Sequence, residues 1–305
     1  MYKSDHQKIS KFAIDISQDI FSSDFRKIVD QYGALVVEGS KKEDEGGLVR
    51  AKNWHFYRAE NSPYLRKFLS LIGTVYPSSR HIYTIHTFEL SRLLNRREKS
   101  DLDKVMLLAG RIIHHIQDMS TPAHVMPVYH GPAFPFSFPS KHDALEEFSK
   151  NHIDNYLVSN SSNAISNCDR ERIEKESEMD LIDLYDLVAN RTLVYLESDE
   201  ASFPAHINGK VKTVGSDLFW IKYDPEHPYF DKHDGWGEYG PFGEAPRGSG
   251  VPFDTSDTRE YKGAKYTIFF ADYEHIYTHL IRQMTIDALT VLRYIEKKMF
   301  LDMPV

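Results

Sequence analysis

Residues 100–124 read SDLDKVMLLAGRIIHHIQDMSTPAH and form the most apolar helical pattern in the chain. Apolar side chains recur there at helical spacing, as on the buried face of a helix, at Val105, Leu108, Ala109, Ile112 and Ile116. The stripe is extended by His114 and Asp118, which lie one helical turn apart. Burying these two groups without partners would cost several kcal/mol, and a metal ion would remove that cost. The stretch therefore predicts a core helix that carries metal ligands.

The helix that contains this stretch is expected to end soon after Asp118, because Pro122 cannot continue it. His124 follows the proline, so the chain can turn its side chain toward a second position. His115 is three residues before Asp118 and could replace His114 on helical geometry alone. Spacing by itself leaves both histidines open as ligands.

Helical spacing also recurs through most of the remaining chain. The predicted segments are residues 5–21, 24–38, 62–73, 82–98, 141–158, 171–196 and 272–299. Residues 200–265 differ, because Gly, Pro and aromatic residues dominate short β-like runs. We therefore expect one all-α domain spanning residues 1–305, with an irregular, partly β insertion at about 200–265. The aromatic residues of this insertion either line a wall for a lipid or a base, or pack as a surface loop.

Composition narrows the class of protein. The chain has 305 residues and a formal net charge of −8, which argues against a general nucleic-acid-binding surface. A single cysteine, Cys168, excludes an intrachain disulfide. No apolar run approaches the roughly 18 residues of a membrane span. The first residues, MYKSDHQKIS, lack the apolar core of a signal peptide, so none is expected in this sequence.

Further candidate ligands lie on either side of the core helix. His142 and Glu146, in HDALE, have the same four-residue spacing as His114 and Asp118. His6 shares a helix face with Ile9 in the first predicted helix. His55 follows an acidic loop at 43–45. Imidazole and carboxylate are both ligands of zinc, so these groups reinforce one another as a predicted metal cluster.

Four segments in this order resemble the bacterial zinc-dependent phospholipases C, whose all-helical fold and three-metal centre are shared with zinc-dependent nucleases. The segments are HQKISKFAIDI at 6–16, HFY at 55–57, the H-x3-D-x5-H pattern in HHIQDMSTPAH at 114–124, and the H-x3-E pattern in HDALE at 142–146. The resemblance covers about residues 1–158. It implies the same multi-helix fold, two to three Zn²⁺ ions in each chain, and a secreted or periplasmic protein.

The resemblance also implies which residues hold each zinc ion. His55, His114 and Asp118 would hold the first ion together with an acid from the 43–45 loop, and the family pattern selects His114 over His115. His124, His142 and Glu146 would hold the second ion. His6 and Asp118 would hold the third, with Asp118 bridging two metals.

The chain departs from the family pattern at two points. In the family an N-terminal Trp completes the third metal site, whereas this sequence has Met1 and Tyr2 there. Either Met1 replaces a removed signal sequence, or the third site is weaker or absent. The acid before HFY is also closer than in the family; Asp44 is the expected ligand, and Glu43 and Glu45 remain open.

The expected activity is hydrolysis of a phosphodiester by a zinc-activated water, which Asp44 orients or deprotonates. A Glu at position 146 resembles the phospholipase pattern, because nucleases of this fold tend to have Asp at that position. The expected substrate is a phospholipid or another phosphodiester, reached by peripheral membrane contact without a transmembrane segment. A single-strand nuclease acting on nucleic acid is the alternative of the same fold. A metal-binding or membrane-recognition protein without catalysis is the alternative from another class.

Overall fold

The structure of the chain, a computed structural model, describes residues 3–44, 57, 79–126, 128, 131–133, 137–159, 165–222, 237–245 and 256–300. This part of the chain is mostly helical and contains a small antiparallel sheet. The mainly-α class is therefore confirmed. The helices are α1 (Lys3–Ile16), α2 (Ser23–Lys42), α3 (Ser79–Arg96), α4 (Leu102–Met119), α5 (Pro122–Val125), α6 (Ala144–Ser159), α7 (Asn167–Glu176), α8 (Leu181–Leu196) and α9 (Phe270–Phe300).

Helix α4 is the core helix that the sequence predicts. It packs against α2, α3, α8 and α9, and Val105, Ala109, Ile112 and Ile116 on its apolar stripe are buried. The helix ends at Met119, and Pro122 occupies the first turn of α5, where its missing N–H is not needed. The predicted break after Asp118 is therefore confirmed. A buried side chain, Asp287 of α9, accepts a hydrogen bond from Ser120 Oγ (3.3 Å) and fixes α9 against this break.

Helices α2 and α4 cross at two glycines. A Cβ atom on Gly39 would lie 2.1 Å from the carbonyl oxygen of Leu107, and one on Gly110 would lie 2.0 Å from that of Val36. No side chain fits between the two backbones at this point. The sequence predicts that α2 ends near Gly39, but the helix continues to Lys42, because this glycine serves the crossing and does not terminate the helix.

Several other helix boundaries also differ from those predicted. The segment predicted at 171–196 is two helices, α7 and α8, because the Asp180 side chain accepts a hydrogen bond from Ile182 N (2.8 Å) and starts a new helix there. The helix predicted at residues 5–21 ends at Ile16, and the helix predicted at residues 141–158 begins at Ala144. The segment at 62–73 lies outside the described residues.

The region at 200–265 contains more regular strands than expected. The strands of the described chain are β1 (Gly131–Ala133), β2 (Ser137–Lys141), β3 (Phe203–Ile207), β4 (Lys210–Val214), β5 (Trp220–Ile221), β6 (Glu238–Tyr239), β7 (Ser256–Tyr261) and β8 (Ala264–Phe269). A four-stranded antiparallel sheet has the order β4-β3-β8-β7, β5 pairs with β6, and β1 pairs with β2 earlier in the chain. Asn208–Gly209 and Lys262–Gly263 form the two hairpin turns, with positive φ at all four residues. Such turns match the twist of antiparallel strands.

The aromatic residues near this sheet are largely internal. Trp220 is 1% exposed and Phe242 is 0% exposed. Both belong to the hydrophobic core, so they do not form an exposed wall for a ligand. Within the described part of the chain, no helix has both the length and the hydropathy of a membrane span.

Replacing Gly39 by Ala is expected to destabilise the protein by roughly 2–4 kcal/mol, because the new methyl group must push α2 away from α4. The measurement is the free energy of unfolding from urea titration. Gly33→Ala is the matched control on the same helix. A Cβ atom there meets Ile14 Cδ1 at 3.4 Å. The change in stability should therefore be within about 1 kcal/mol and favourable. Equal effects of the two substitutions would contradict the role of the crossing.

Candidate metal centre

Three helices bring histidines to the carboxylate of Asp118, in the last turn of α4. His6 comes from α1, His114 lies one turn earlier on α4, and His124 comes from α5. His6, His114 and Asp118 are 0% exposed, and His124 is 2% exposed. The ligand atoms of the first three lie close enough together to hold one metal ion. Four of the predicted ligands therefore meet at one buried point.

Asp118 is the centre of this arrangement. Its Oδ1 lies 3.4 Å from His6 Nε2 and 3.2 Å from His124 Nδ1, and its Oδ2 lies 3.3 Å from His114 Nε2. Ordinary hydrogen bonds between such groups are about 2.7–2.9 Å long. Two ligand atoms on one tetrahedral zinc ion, with bonds of about 2.0–2.1 Å, lie about 3.3–3.4 Å apart. The observed separations fit shared coordination better than direct hydrogen bonding.

The other ring nitrogens of two histidines are fixed by neighbours. The Nδ1–H of His114 donates to the carbonyl oxygen of Ser40 (2.8 Å), which can only accept. The Nδ1 of His6 lies 2.7 Å from Oε1 of Gln117. The Gln117 amide in turn donates to Ser10 Oγ (3.3 Å), so its oxygen faces the imidazole. Both histidines thus turn Nε2 toward Asp118, and this is the nitrogen that would bind a metal once it carries no proton.

The surrounding carboxylates raise the pKa of both imidazoles, but the net shifts are opposite. Burial alone would lower the pKa of His114, but the negative charges of Asp118 and Asp44 outweigh burial and raise the pKa to about 9. Burial and the neighbouring positive charge of His114 lower the pKa of His6 to about 4, against the pull of Asp118. Without a metal, the centre therefore holds one proton on His114 at neutral pH. The carboxylates require one positive charge between them, and a cation can supply it instead.

The acids of the 43–45 loop face two different clusters. Asp44, the expected ligand, acts electrostatically on both His6 and His114. Glu43 instead lies beside His115, with Oε2 3.6 Å from its Nε2. His115 is therefore directed to Glu43, and His114 to Asp118, although the two histidines are consecutive. Glu45 lies outside the described residues, as does the predicted ligand His55.

The residues predicted for the second metal are arranged less closely. His124 Nε2 lies 3.5 Å from Oε1 of Glu146, which links this pair to the Asp118 centre. His142 lies before α6 begins, so the helical spacing assumed for His142 and Glu146 does not apply. Its Nδ1 is 3.6 Å from Oε1 of Glu147, and its side chain is 48% exposed.

The position of Glu146 depends on the residue that caps its helix. Oδ1 of Asp143 accepts hydrogen bonds from the backbone N–H groups of Leu145 (2.9 Å) and Glu146 (3.3 Å). Oδ2 of Asp143 accepts from Trp220 Nε1 (2.7 Å), which belongs to β5. The strand region thus holds the start of α6, and with it Glu146, beside His124. The Asp143 interaction was not identified from the sequence, although Asp before a helical segment is a known capping signal.

Sequence reasoning also missed Ser40, Gln117 and a second group of possible ligands. Ser40 and Gln117 act on the imidazoles through a carbonyl and an amide, and no spacing rule indicates these contacts. The second group is Glu43, His86 and His115, whose ligand atoms also lie close together. His86 belongs to α3, far from the other two in sequence, so only the folded chain brings it to them.

Similarity to known proteins gives no independent assignment of this centre. No protein-family model matches the chain, and no curated protein matches it significantly. The geometry alone supports the coarser statement that buried His, Asp and Glu groups of this chain can hold a metal ion.

Zinc affinity is expected to rise with pH up to about pH 9, because the ion must displace the proton that Asp118 and Asp44 keep on His114 below its pKa of about 9. His6 is neutral above its pKa of about 4 and adds no such competition. Each pH unit below about 9 should weaken binding roughly tenfold. Calorimetric titration in buffers of different ionisation enthalpy should show about one proton released at pH 7. Zinc binding that releases no proton would contradict this arrangement.

Proposed function

We propose that the protein is a zinc-dependent phosphodiester hydrolase, most similar in activity to phospholipase C. The observation that carries the proposal is the carboxylate of Asp118, which is fully buried and faces three imidazoles at 3.2–3.4 Å. Burial of this carboxylate without a cation is costly. A centre built to concentrate positive charge in this way suits a reaction on an anionic phosphate group.

His6, His114, Asp118 and Asp44 are the described residues that would hold ions at the inner end of the centre. His124 and Glu146 would hold an ion at its outer end, with His142 as the third ligand expected there. When bound, zinc would supply Lewis acidity that lowers the pKa of a coordinated water and offsets charge on phosphate oxygens. The chain's own contribution is to hold Nε2 of His6 and His114 in place through Gln117 and Ser40.

Exposure increases along the line from Asp118 to His142. The side chains of Asp118 and His124 are 1% and 3% exposed, that of Glu146 is 15% exposed, and that of His142 is 48% exposed. A substrate would therefore approach from the His142 side and place its phosphate near His124 and Glu146. Asp44, which acts electrostatically on His6 and His114, would accept a proton from the attacking water or orient that water.

The choice of a phospholipid over a nucleic acid rests on charge and on Glu146. A chain with a net charge of −8 lacks the general positive charge that draws a polyanion to a surface. Glu146 matches the phospholipases in the sequence pattern that the chain resembles. Contact with the membrane would be peripheral. The alternatives are a single-strand nuclease and a metal-binding protein without catalysis. Zinc content and turnover of lipid and DNA distinguish both from the proposed phospholipase.

Asp118→Asn is expected to remove at least one bound zinc ion and abolish hydrolysis, because the amide has no charge to hold the ion. The measurements are elemental analysis of untagged protein and turnover of phosphatidylcholine vesicles and of single-stranded DNA. His81→Gln is the control, since His81 is exposed on α3. Cleavage of DNA with a steep salt dependence, and none of the lipid, would favour the nuclease. Bound zinc without hydrolysis of either substrate would contradict the enzyme proposal and favour a metal-binding protein without catalysis.

Asp44→Asn is expected to lower kcat by roughly 10²–10⁴-fold, the usual contribution of a positioned general base. Zinc content is measured in the same samples, because Asp44 would also hold an ion. Asp30→Asn, on the helix that precedes Asp44, is the control, since Asp30 is exposed and pairs with Arg26. Full activity together with full zinc content in Asp44→Asn would remove Asp44 from the mechanism.

A further inference from the structure

A second group of two imidazoles and one carboxylate lies next to the Asp118 centre. Glu43 Oε1 is 3.1 Å from His86 Nε2, and Glu43 Oε2 is 3.6 Å from His115 Nε2. Glu43 and His115 are 2% and 1% exposed, and the His86 side chain is 12% exposed. The ligand atoms of all three residues lie within 4.8 Å of one another. Three helical regions contribute one residue each, at the end of α2, in α3 and in α4.

We propose that Glu43, His86 and His115 form a separate binding site for a first-row divalent cation, with zinc as the best fit. Two imidazole nitrogens and one carboxylate oxygen are three of the four ligands that tetrahedral zinc takes, and water would be the fourth. The ion would join α3 to α2 and α4. Its role is structural, and it does not depend on the reaction proposed for the neighbouring centre.

The two histidines contact the shared carboxylate at different distances, and His86 Nε2 lies within hydrogen-bond distance of Glu43 Oε1, at 3.1 Å. The separation of 3.6 Å between His115 and Glu43 is too long for a hydrogen bond. One separation, 3.1 Å, is shorter and the other, 3.6 Å, is longer than the distance of about 3.3–3.4 Å between two ligand atoms of one zinc ion. The distances around Asp118, 3.2–3.4 Å, fall within this range. Both histidines also present the same atom, Nε2, to the shared carboxylate.

Among the described residues, the candidate ligands of the two centres are all different, although the centres share stretches of backbone. His114 and His115 are consecutive, yet their rings are nearly perpendicular, at 87°, with centroids 5.4 Å apart. Asp44 acts electrostatically on His6 and His114, and Glu43 contacts His86 and His115 while its charge also reaches His114. Loss of an ion from one site therefore leaves every ligand of the other in the chain. The two sites can be removed separately by substitution.

Arg111 makes a specific contact with the second site. Its Nη1 lies 3.2 Å from Oε1 of Glu43, one helical turn before His115. Carboxylates that bind metals commonly accept a hydrogen bond from such a neighbour, so the contact is compatible with an ion. The positive charge of Arg111 repels a cation held by the same carboxylate. Arg111→Gln should therefore bind the cation more tightly, by about tenfold or more. An ion-pair network without a metal would gain nothing from this substitution.

The test is metal stoichiometry and spectroscopy of the full chain. Wild-type protein, His86→Gln and the control His81→Gln are stripped with a chelator and titrated with Zn²⁺ or with Co²⁺, whose visible absorption reports tetrahedral coordination. His86→Gln should bind one equivalent fewer than wild type and lose the matching part of the Co²⁺ spectrum. The exposed His81, on the same helix, should be replaceable without change. Circular dichroism confirms that each variant is folded.

Equal stoichiometry in wild type and His86→Gln would overturn the proposal. If His86→Gln does not fold, Glu43→Gln is used, and it should lose the same equivalent. Arg111→Gln with unchanged cation affinity would also count against the site. Because these readouts do not involve turnover, they stand even if the protein hydrolyses no phosphodiester. A variant that loses the ions of the Asp118 centre but keeps the ion at Glu43, His86 and His115 would show directly that the two sites are independent.

Discussion

The close crossing of α2 and α4 at Gly39 and Gly110 determines where both clusters lie. Because both residues at the contact are glycines, the two backbones lie so close together that no Cβ methyl group fits between them. The residue after Gly39 is then near enough for its carbonyl oxygen to accept the Nδ1–H of His114. Glu43 and Asp44 follow directly after the end of α2, where Glu43 contacts His115 and Asp44 acts electrostatically on His114. A local packing constraint therefore sets the orientation of a ligand and the position of two acids.

Buried negative charge explains why several imidazoles lie together at the Asp118 centre. Asp118 is fully buried, and Asp44 adds a second negative charge to its surroundings. Without a metal, a proton on His114 offsets part of this charge, and the raised pKa of about 9 expresses how strongly it is held. A divalent ion would replace that proton and also satisfy the remaining lone pairs. Folding of this region and binding of a cation would therefore be linked, as in other proteins that bury their ligands.

The sequence predicted the parts of this arrangement that depend on local spacing. The stripe on α4, the break at Pro122 and the pair His114–Asp118 follow from helical periodicity and proline geometry. The separation of Glu43 from Asp44 does not, because it depends on how the end of α2 meets α4. His86 could not be selected, since only tertiary packing of α3 brings it to Glu43 and His115. The hairpin at Asn208–Gly209 was missed although its dipeptide is a recognised turn signal.

The depth of the Asp118 centre limits which of its residues can meet a substrate. Asp118 and its imidazoles sit inside packed helices, so they can hold charge in fixed positions, but they offer little surface to an incoming molecule. Contact is possible at the outer end, where Glu146 and His142 become exposed. Asp143, held by Trp220 of the strand region, sets the start of the helix that carries Glu146. The inner residues thus determine the charge of the centre, and the strand region, through Asp143, determines the geometry of its open edge.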